Sequence, residues 1–344
     1  MKVGSIMVAN SYHIPTDYKS FLSLRDTEVA IKKIKDFFEN ALAKELNLVR
    51  VSAPLFVLPE SGLNDNLNGV ERPVAFDVKD IGGRTVEVVQ SLAKWKRMAL
   101  GNYGFSAGEG LYTDMNAIRR DEELDNLHSV YVDQWDWEMV ITREQRNTAT
   151  LKNTVDKIYR VFRKTQDYIL NTYPVLPRYL PDDITFITTQ ELEDMYPGLT
   201  PKERETAFTK AHGAACVTQI GDKLRSGRPH DGRAPDYDDW SLNCDIIFYY
   251  PMLDSAFEVS SMGIRVDEAS LLSQLEKAHC EDRKTLPFHR DVLSGKLPYT
   301  LGGGVGQSRI CMFFLGKAHI GEVQASVWPE EMKRECMRNG VFLL

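Results

Sequence analysis

The sequence predicts an α+β fold in which a mixed, mostly antiparallel β-sheet is flanked by helices. Three observations favour this fold class. Residues 74–78 and 85–89 alternate in polarity around Gly82 and Gly83, which is typical of a β-hairpin. Residues 128–140 form the longest strand pattern, and three more strands are predicted between 214 and 261. Helices and strands do not alternate regularly, which disfavours a doubly wound parallel sheet.

The elements of the first half follow from periodicity and from helix-ending residues. Residues 26–48 repeat apolar side chains at helical spacing, and residues 48–51 form a short strand that stops before Pro54. Helical propensity returns at 92–100 and is followed by a glycine-rich passage at 101–110. A long helical pattern at 150–173 ends in a proline-rich stretch, and a capping box starts another helix at Thr200.

The second half contains three strand patterns, at 214–220, 244–250 and 256–261. Helical stretches follow near 267–279 and 287–295. The glycine run at 302–306 predicts a tight turn that leads into a buried helix at 310–315.

Composition limits the class of protein. A length of 344 residues suggests about two domains, or one large domain with insertions. The net charge of −7 disfavours a broad nucleic-acid-binding surface. Five cysteines, all in the second half and without a Cys-x-x-Cys pair, indicate reduced thiols and a cytoplasmic protein. No stretch has the length and apolarity of a signal peptide or membrane helix, so we expect no membrane association.

Two patterns suggest a binding site, each with an ordinary alternative. Arg309 falls in the first turn of the predicted helix after the glycine run, where backbone amides and a guanidinium can converge on an anion. A plain turn with a surface arginine is the alternative. Gln134, Asp136 and Glu138 share one face of the long strand, which is either a pocket floor or a solvent-facing side.

Polar residues also concentrate in the second half. Residues 258–265 combine Glu258, two serines and Arg265, a density of donors that packing does not explain. The loop at 234–240 carries three aspartates at 236, 238 and 239, which predict either a turn or a site for a divalent ion. No histidine pair has metal-ligand spacing, which argues against a zinc site.

Six sequence blocks together carry a family resemblance: SLAKWKR at 91–97, FSAGEGLY at 105–112, HSVYVDQWDWE at 128–138, APDYDDW at 234–240, FEVSSMGIR at 257–265 and GGGVGQSR at 302–309. In these blocks the chain resembles the ammonia-dependent asparagine synthetases, or aspartate–ammonia ligases. Their catalytic core is similar to that of class II aminoacyl-tRNA synthetases, the aspartyl type above all. The resemblance runs from about residue 26 to the C-terminus.

The resemblance implies an activity and a domain plan. ATP and the side-chain carboxylate of L-aspartate would form β-aspartyl adenylate with release of pyrophosphate, and ammonia would then displace AMP to give L-asparagine. Mg²⁺ is the implied cofactor, ATP a co-substrate, and a homodimer the implied assembly. The whole chain, 1–344, would be one class II synthetase-like catalytic domain, with a possible N-terminal extension at 1–18 and a possible helical insertion at 141–213.

The resemblance also implies residues for the nucleotide. Arg119 would clamp the reacting carboxylate and the α-phosphate, although the adjacent Arg120 is an alternative for this role. Arg309 would hold ATP phosphates or stack on adenine. Asp245 and Glu258 would bind magnesium. The remaining members of the implied ATP and AMP pocket are Ser129, Asp238 and Ser260.

The implied aspartate site needs opposite charges at its two ends. Lys96 and Arg265 would bind the α-carboxylate. Gln134 would reach the reacting carbonyl, and Asp65 would attract ammonium and accept its proton. The implied α-ammonium ligands and a further hydrogen-bonding candidate are Asp136, Ser261 and Ser91.

Three other functions are less favoured by the sequence. An aminoacyl-tRNA synthetase would need an anticodon-binding module, for which a resemblance starting near residue 26 leaves no room. A glutamine-dependent synthetase would begin Met-Cys, whereas residue 2 is Lys2 and the first cysteine is Cys216, so we expect free ammonia as the nitrogen source. A non-catalytic relative would have lost motif arginines or acids that this chain retains.

Overall fold

The structure is a computed structural model that describes residues 12–65 and 71–344. Part of the predicted N-terminal extension, residues 1–11, lies outside the described residues. The helices are α1 Leu24–Leu46, α2 Ala93–Asn102, α3 Thr148–Thr172, α4 Thr189–Met195, α5 Pro201–His212, α6 Glu268–Lys277, α7 Pro287–Leu293, α8 Gln307–Leu315 and α9 Glu330–Arg338. The strands are β1 Leu48–Arg50, β2 Phe56–Val57, β3 Ala75–Val78, β4 Arg84–Val88, β5 Gly110–Ile118, β6 Tyr131–Val140, β7 Thr185–Thr188, β8 Ala214–Thr218, β9 Asp238–Tyr250, β10 Ser255–Arg265 and β11 Thr300–Gly306.

An eight-stranded sheet organises the fold, in the order β1-β5-β6-β11-β10-β9-β8-β7. Its central pairs are antiparallel, and the two outer pairs, β1 with β5 and β7 with β8, are parallel. A small antiparallel sheet, β2-β4-β3, contains the predicted hairpin. The predicted α+β class with a mixed, mostly antiparallel sheet flanked by helices is confirmed.

Helix α1 covers one face of the large sheet. Ser23 caps its first turn by accepting from the Asp26 backbone N–H, and Asn47 ends it in the left-handed conformation. Phe38, on its buried face, stacks on Trp135 of β6 at a centroid distance of 5.1 Å and contacts Phe162 of α3. The tryptophan face of β6 therefore belongs to the core, which leaves its other face for polar side chains.

The structure corrects the predicted turn at 302–306. This segment is the strand β11, in the middle of the sheet between β6 and β10, and the helix α8 starts directly after it at Gln307. Its glycines form a strand because side chains of neighbouring strands lie where their own side chains would be. A Cβ on Gly304 would lie 2.5 Å from Gln134 Oε1.

Some strand boundaries also differ from prediction. Strand β5 was not predicted, because it is buried along much of both faces and shows little alternation. The long strand β6 starts at Tyr131, so that residues 128–130 belong to the loop before it. The stretch 141–213 contains α3, β7, α4 and α5, and β7 forms one edge of the main sheet. Its description as a helical insertion in a single domain stays a prediction.

Among the described residues, no helix is both long enough and apolar enough to cross a membrane.

Candidate active site

A cavity of about 430 Å³ opens above the middle of the sheet. Its wall comes from the loop between β5 and β6, from β6 itself, from the loop before β9, and from β9, β10, β11 and the start of α8. Eight of the predicted site residues line it: Arg119, Ser129, Gln134, Asp245, Glu258, Ser260, Ser261 and Arg309. Residues spread over 190 positions of sequence, from 119 to 309, therefore share one cavity.

The other predicted residues lie outside the cavity wall. Five of these side chains are almost fully buried: Asp65, Lys96, Asp136, Asp238 and Arg265. Ser91 is only part-buried, and its hydroxyl accepts from the Ala93 backbone N–H at the start of α2. Lys96, Asp136 and Arg265 of the implied aspartate site thus belong to a packed polar layer outside the cavity wall.

Strand β6 lies beside the glycine strand β11 in the sheet, and its polar side chains extend over the glycines. Gly304 pairs with Asp136 and Gly302 with Glu138 in the β6–β11 register. A Cβ on Gly304 would meet Asp136 Oδ1 at 2.6 Å, and a Cβ on Gly302 would overlap the Glu138 carboxylate. The side chains at 134, 136 and 138 therefore lie across β11, so this strand face is not a solvent-facing side.

Buried charges of alternating sign extend through this layer. Lys96 Nζ lies 3.1 Å from Asp136 Oδ2 and also donates to the carbonyl oxygens of Trp137 at 3.1 Å and Gly303 at 3.0 Å. Arg265 bonds Glu138 through Nε at 2.9 Å, and its Nη1 pairs with Asp238 Oδ1. Each cation is thus neutralised locally, as buried charges require.

Burial and ion pairing shift the pKa values of Glu138 and Lys96 in opposite directions. Burial raises the pKa of Glu138, but the Arg265 guanidinium and the Lys96 ammonium outweigh it and hold that pKa below its usual range. Burial lowers the pKa of Lys96 although Asp136 and Glu138 oppose the shift. Glu138 stays ionised and fixes Arg265, whereas Lys96 depends on its carboxylates to keep its charge.

Lys96 lies deeper than its predicted role suggests. Its ammonium has three N–H donors, and three acceptors of the chain already surround it. Its side chain is 1% exposed. Lys96 is therefore arranged to neutralise Asp136 from beneath, and a direct contact with the substrate α-carboxylate stays a prediction.

Two carboxylates from adjacent strands line the cavity. Asp245 and Glu258 lie on the adjacent strands β9 and β10, and both contribute to the cavity wall. Burial raises the pKa of Asp245 to about 7, and the charges of Glu258 and Glu205 add to the shift, while Arg233 at 3.0 Å opposes it. Repulsion of this kind favours a bound cation.

Magnesium fits this carboxylate pair. Mg²⁺ commonly takes one or two carboxylates and completes its shell with phosphate oxygens and water. Within residues 12–65 and 71–344, no cluster of three or more His, Cys, Asp or Glu side chains could hold a metal ion without other ligands. Asp245 and Glu258 would therefore bind Mg²⁺ together with a phosphate-bearing ligand.

The loop aspartates predicted as alternative divalent-ion ligands instead pair with cations of the chain. Asp238 contacts Arg265 and Arg233. Asp239 contacts Arg146 at 3.0 Å, and Asp236 contacts three basic side chains. The loop aspartates therefore neutralise buried basic side chains of the chain. Asp238 also lies next to the cavity residue Arg233.

Arg309 is held at the mouth of the cavity. Its Nη1 donates to the Glu258 carbonyl at 2.9 Å, and its Nη2 lies 3.0 Å from His128 Nε2. The other ring nitrogen of His128 lies 2.9 Å from Asp125. Since Nε2 accepts from an arginine, Nδ1 must carry the proton that is donated to Asp125. The Arg309 side chain is 22% exposed, so it is oriented and still open to a ligand.

The structure distinguishes the two candidate arginines after β5. Arg119 lines the cavity, whereas Arg120 is exposed and lies outside the cavity wall. The Arg119 guanidinium forms a loose ion pair with Glu122, whose carboxylate oxygen lies 3.9 Å from Nη1. Its backbone is fixed by a hydrogen bond from its N–H to the Val130 carbonyl. Arg119 is therefore the better candidate to contact a phosphate.

Asp65 is fixed through its backbone. Asn64 Oδ1 accepts from the backbone N–H groups of Asp65 and Gln90, and Gln90 Nε2 donates to the Asp65 carbonyl. The Asp65 charge is felt by Tyr237, a cavity-wall residue whose pKa is raised first by burial and then by that charge. Asp65 is therefore close to the cavity without belonging to its wall.

Several side chains of the site were not predicted from the sequence. The sequence pattern places Glu138 on the polar face of its strand without indicating a role for it, and its partner Arg265 lies 127 positions away. Arg233, Tyr237 and His128 also line the cavity. Arg233 precedes the aspartate-rich loop at 234–240 and Tyr237 lies within it, and local sequence carries no signal for the long-range pairs that position them.

Known proteins similar to this chain identify its family. The family model described as aspartate-ammonia ligase matches residues 25–340. An aspartate–ammonia ligase of Ruminiclostridium cellulolyticum is 69% identical over 335 residues, which are 97% of this chain and 100% of that protein. One from Clostridium perfringens strain SM101 is 66% identical, over 96% of this chain and 98% of that protein.

Solved structures of synthetases share the fold. An asparaginyl-tRNA synthetase of Pyrococcus horikoshii complexed with asparaginyl-adenylate aligns over 88% of this chain and 70% of its own, with a TM-score of 0.63 and 14% identity. An aspartyl-tRNA synthetase of Entamoeba histolytica aligns over 87% of this chain and 58% of its own, with a TM-score of 0.58 and 17% identity. The family model and the two ligases together show that this chain belongs to the aspartate–ammonia ligase family.

Proposed function

We propose that this aspartate–ammonia ligase makes L-asparagine through β-aspartyl adenylate, with AMP and pyrophosphate as the other products. Family membership supports asparagine synthesis from aspartate, ammonia and ATP. The observation that carries the adenylate route is the shared cavity of Gln134, Arg119 and the Asp245–Glu258 pair. An aspartate carboxylate bound at Gln134 would share the cavity with Arg119 and with the proposed magnesium site. Attack on the α-phosphate of ATP needs both of these positive charges.

Adenylation solves a chemical problem for the enzyme. A carboxylate is a poor electrophile at neutral pH, and transfer of AMP to its oxygen creates a leaving group. In-line attack on the α-phosphate needs mainly positioning and neutralisation of charge. Arg119, after β5, and Arg309, in α8, would supply positive charge from two elements of the wall, and Mg²⁺ bound at Asp245 and Glu258 would neutralise phosphate charge.

The aspartate end would use the buried polar layer. Asp136 and Ser261 would accept from the α-ammonium, and Arg265 would bind the α-carboxylate. The guanidinium of Arg265 uses three of its N–H groups on Glu138 and Asp238, which leaves donors for a ligand. Asp65 would attract ammonium beside the reactive carbon. Ser129, Asp238 and Ser260 would complete the AMP pocket, with Ser91 and Lys96 supporting the aspartate end.

The test combines two half-reactions. Without ammonium, the protein should exchange pyrophosphate into ATP only when aspartate and Mg²⁺ are present. With ammonium, aspartate labelled with ¹⁸O in its β-carboxylate should transfer one labelled oxygen to AMP as asparagine forms. Glutamine in place of ammonium should give no asparagine.

Two results would contradict the adenylate route. Formation of ADP and phosphate would indicate an acyl-phosphate intermediate. Exchange without asparagine would indicate an adenylating enzyme with another acceptor. A Gln134→Ala variant provides an internal check, because it should lower aspartate-dependent exchange while the free energy of unfolding changes little.

We further infer a cytoplasmic homodimer. All five cysteines are unpaired thiols, which supports a reducing compartment.

Exposed apolar side chains occur on β1, on the segment after it and on the small sheet: Val49, Leu55, Phe56, Phe76 and Ile81. Exposed apolar patches commonly mark protein interfaces. A second copy of the chain is the partner that the family implies for this region.

A further inference from the structure

Two loops that form part of the cavity wall are joined by hydrogen bonds. They are residues 126–129, before β6, and residues 318–326, after α8. The Ile320 backbone N–H donates to the Asn126 carbonyl at 2.8 Å, and Asn126 Nδ2 donates to the Ala318 carbonyl at 2.8 Å. Four uncharged residues of these loops line the cavity: Leu127, Ser129, Ile320 and Gln324. The two loops therefore hold these side chains as one surface.

The amide of Gln324 has a fixed orientation. Its side chain is only 6% exposed, and Nε2 donates to Asp133 Oδ1 at 3.2 Å and to Ser308 Oγ at 3.1 Å. An ionised carboxylate only accepts hydrogen bonds, so the NH2 group must face Asp133. A half-turn of the amide would place Oε1 against the Asp133 carboxylate, where two acceptors repel each other. The position of the donor therefore fixes that of the acceptor, Oε1.

This acceptor is left for a ligand. The neighbouring carboxylate is fully used, because Asp133 Oδ1 also accepts from the Ser308 backbone N–H at 3.1 Å, and Oδ2 accepts from Lys35 Nζ at 3.0 Å and from Ser308 Oγ at 2.7 Å. Gln324 Oε1, by contrast, is buried and has no hydrogen-bond partner within residues 12–65 and 71–344. A buried acceptor without a donor is costly. A ligand in the cavity that donates to Oε1 would remove this cost.

The surroundings of Gln324 suit an uncharged aromatic ring better than a phosphate. Neither loop contains lysine or arginine, and the Asp133 carboxylate lies beside the amide. The arginines proposed for the phosphates lie outside both loops. Leu127 and Ile320 offer apolar contacts to the faces of a ring, and Gln324 offers an acceptor to its edge. This part of the cavity is therefore suited to the base of ATP.

We propose that Gln324 selects adenine by accepting a hydrogen bond from its exocyclic amino group. The inference rests on the proposed use of ATP in this cavity. Guanine and hypoxanthine carry a carbonyl oxygen at the same ring position, so two acceptors would face each other. Gln324 does not turn its amide to compensate, because Asp133 holds the NH2 group. The fixed amide therefore favours adenine and also disfavours the 6-oxo purines.

The first measurement compares three nucleotides on the unmodified protein with aspartate and Mg²⁺. ATP has the 6-amino group, purine riboside triphosphate has a hydrogen atom there, and ITP has a carbonyl oxygen. Pyrophosphate exchange is followed without ammonium, and asparagine formation with it. The kcat/KM for ATP should exceed that for purine riboside triphosphate about 10- to 100-fold, the effect of leaving one buried acceptor unpaired. ITP should be poorer still, because it adds repulsion between two acceptors.

The second measurement uses Gln324→Met, which keeps the length of the side chain and removes its amide. This variant should use ATP and purine riboside triphosphate almost equally, and ITP should approach both. The matched control is Gln166→Met in α3, outside the cavity wall, where a 1% exposed amide accepts from the Tyr179 and Leu180 backbone N–H groups at 2.9 Å. It should lose stability in thermal unfolding and keep the nucleotide preference of the unmodified protein.

Three results would overturn the inference. Equal use of ATP and purine riboside triphosphate by the unmodified protein would mean that no group recognises the amino group, whether or not Gln324→Met folds. A preference that survives in Gln324→Met would mean that another group recognises it. Loss of the preference in Gln166→Met as well would show a general effect of lower stability.

Failure of the adenylate route would be seen separately. Asparagine would then form from ATP without any aspartate-dependent pyrophosphate exchange. The nucleotide preference would still be measurable in asparagine formation, and its loss in Gln324→Met alone would support the role of Gln324.

Discussion

Among single residues, Arg309 shows how hydrogen bonds can fix the direction of a side chain and still leave N–H donors for a ligand. The Glu258 carbonyl and His128 each bond one terminal nitrogen of its guanidinium, and the group remains partly exposed at the cavity. A charged hydrogen bond to phosphate contributes about 1.5–3 kcal/mol. Arg309→Ala should therefore raise the KM for ATP about 10- to 100-fold.

Exchange kinetics at varied ATP check the Arg309 prediction. The KM for aspartate should change much less, because Arg309 lies away from the buried polar layer. Arg309→Lys should recover only part of the loss, since an ammonium cannot reproduce the planar fork of donors. An unchanged KM for ATP would exclude Arg309 from the nucleotide site.

His319 predicts a pH dependence of stability. It is 0% exposed, its Nδ1 accepts from the Gly321 backbone N–H at 3.0 Å, and burial lowers its pKa to about 4. In the unfolded chain a histidine titrates near 6.5. The unfolded state therefore binds more protons as the pH falls, and stabilisation present above pH 6.5 should be lost down to about pH 4, by about 3 kcal/mol in total.

Denaturant unfolding at a series of pH values measures this loss. His319→Asn keeps an acceptor for the Gly321 N–H but has no titrating ring. Its free energy of unfolding should fall less than that of the unmodified protein between about pH 6.5 and 4. Parallel curves for the two proteins would show that His319 is not the group responsible.

Residue types were easier to predict than their partners. The shared face of Gln134, Asp136 and Glu138 followed from the period-two geometry of a strand, which is a local property. The pairing of Glu138 with Arg265 spans 127 positions and depends on how strands are arranged. The same limit applies to Lys96, whose three buried acceptors are set by the neighbouring strands β6 and β11.

At the scale of elements, β11 makes the polar layer possible. Gly304 has no positive φ, so its role is to leave space for the side chains of β6. A methyl group at this position would overlap Gln134 Oε1 and Asp136 Oδ1. Gly304→Ala should therefore slow adenylation about 100-fold, the size expected when reacting groups are misplaced by about 1 Å.

The control for this prediction is Gly198→Ala, because nothing lies within 4 Å of a Cβ at Gly198 and its φ is not positive. Pyrophosphate exchange measures the rate, and thermal unfolding measures the fold. The Gly304 variant should still unfold cooperatively, with a loss of stability of about 1–3 kcal/mol. Full activity of Gly304→Ala would mean that the β6 side chains move aside without consequence.

Two strands, β11 and β5, were not predicted, because their amino-acid patterns are not those of typical strands. A run of glycines has low strand propensity, and it becomes a strand only because its neighbours occupy the space beside it. Strand β5 lacks alternation because it is covered on both faces. Helix α1, by contrast, has capping residues and a one-sided apolar pattern, and its observed start and end differ from the predicted 26–48 by two residues each.

At the scale of the whole molecule, the class of fold was predictable and the strand order was not. Local patterns indicate which segments are strands, whereas the order of strands depends on contacts between distant segments. Strand β11 is the last in the chain, yet it lies between β6 and β10 at the centre of the sheet. This insertion brings Arg309 to the cavity that Arg119 also lines, so the site depends on a strand pairing that only the complete fold establishes.

The exposed apolar patch on the small sheet leads to a prediction about assembly. Phe56 and Phe76 contact each other edge to face at 5.3 Å, yet they are 45% and 42% exposed, and Val49 on the edge strand β1 is 59% exposed. If a partner covers such an aromatic pair at the centre of an interface, truncation of one ring can cost about 2 kcal/mol or more of binding free energy. Sedimentation equilibrium should show a dimer, and Phe56→Glu should weaken it by at least about 30-fold.

The matched control is Val175→Glu, which adds the same charge at a 58% exposed residue outside this patch. It should leave the dimer intact, because a charge weakens an association only where its desolvation is required. The Phe56→Glu monomer should keep its circular dichroism spectrum, since the side chain is already exposed. A protein that is monomeric at all concentrations, or a dimer insensitive to Phe56→Glu but broken by Val175→Glu, would place the interface elsewhere and leave the exposed phenylalanines to be explained by another partner.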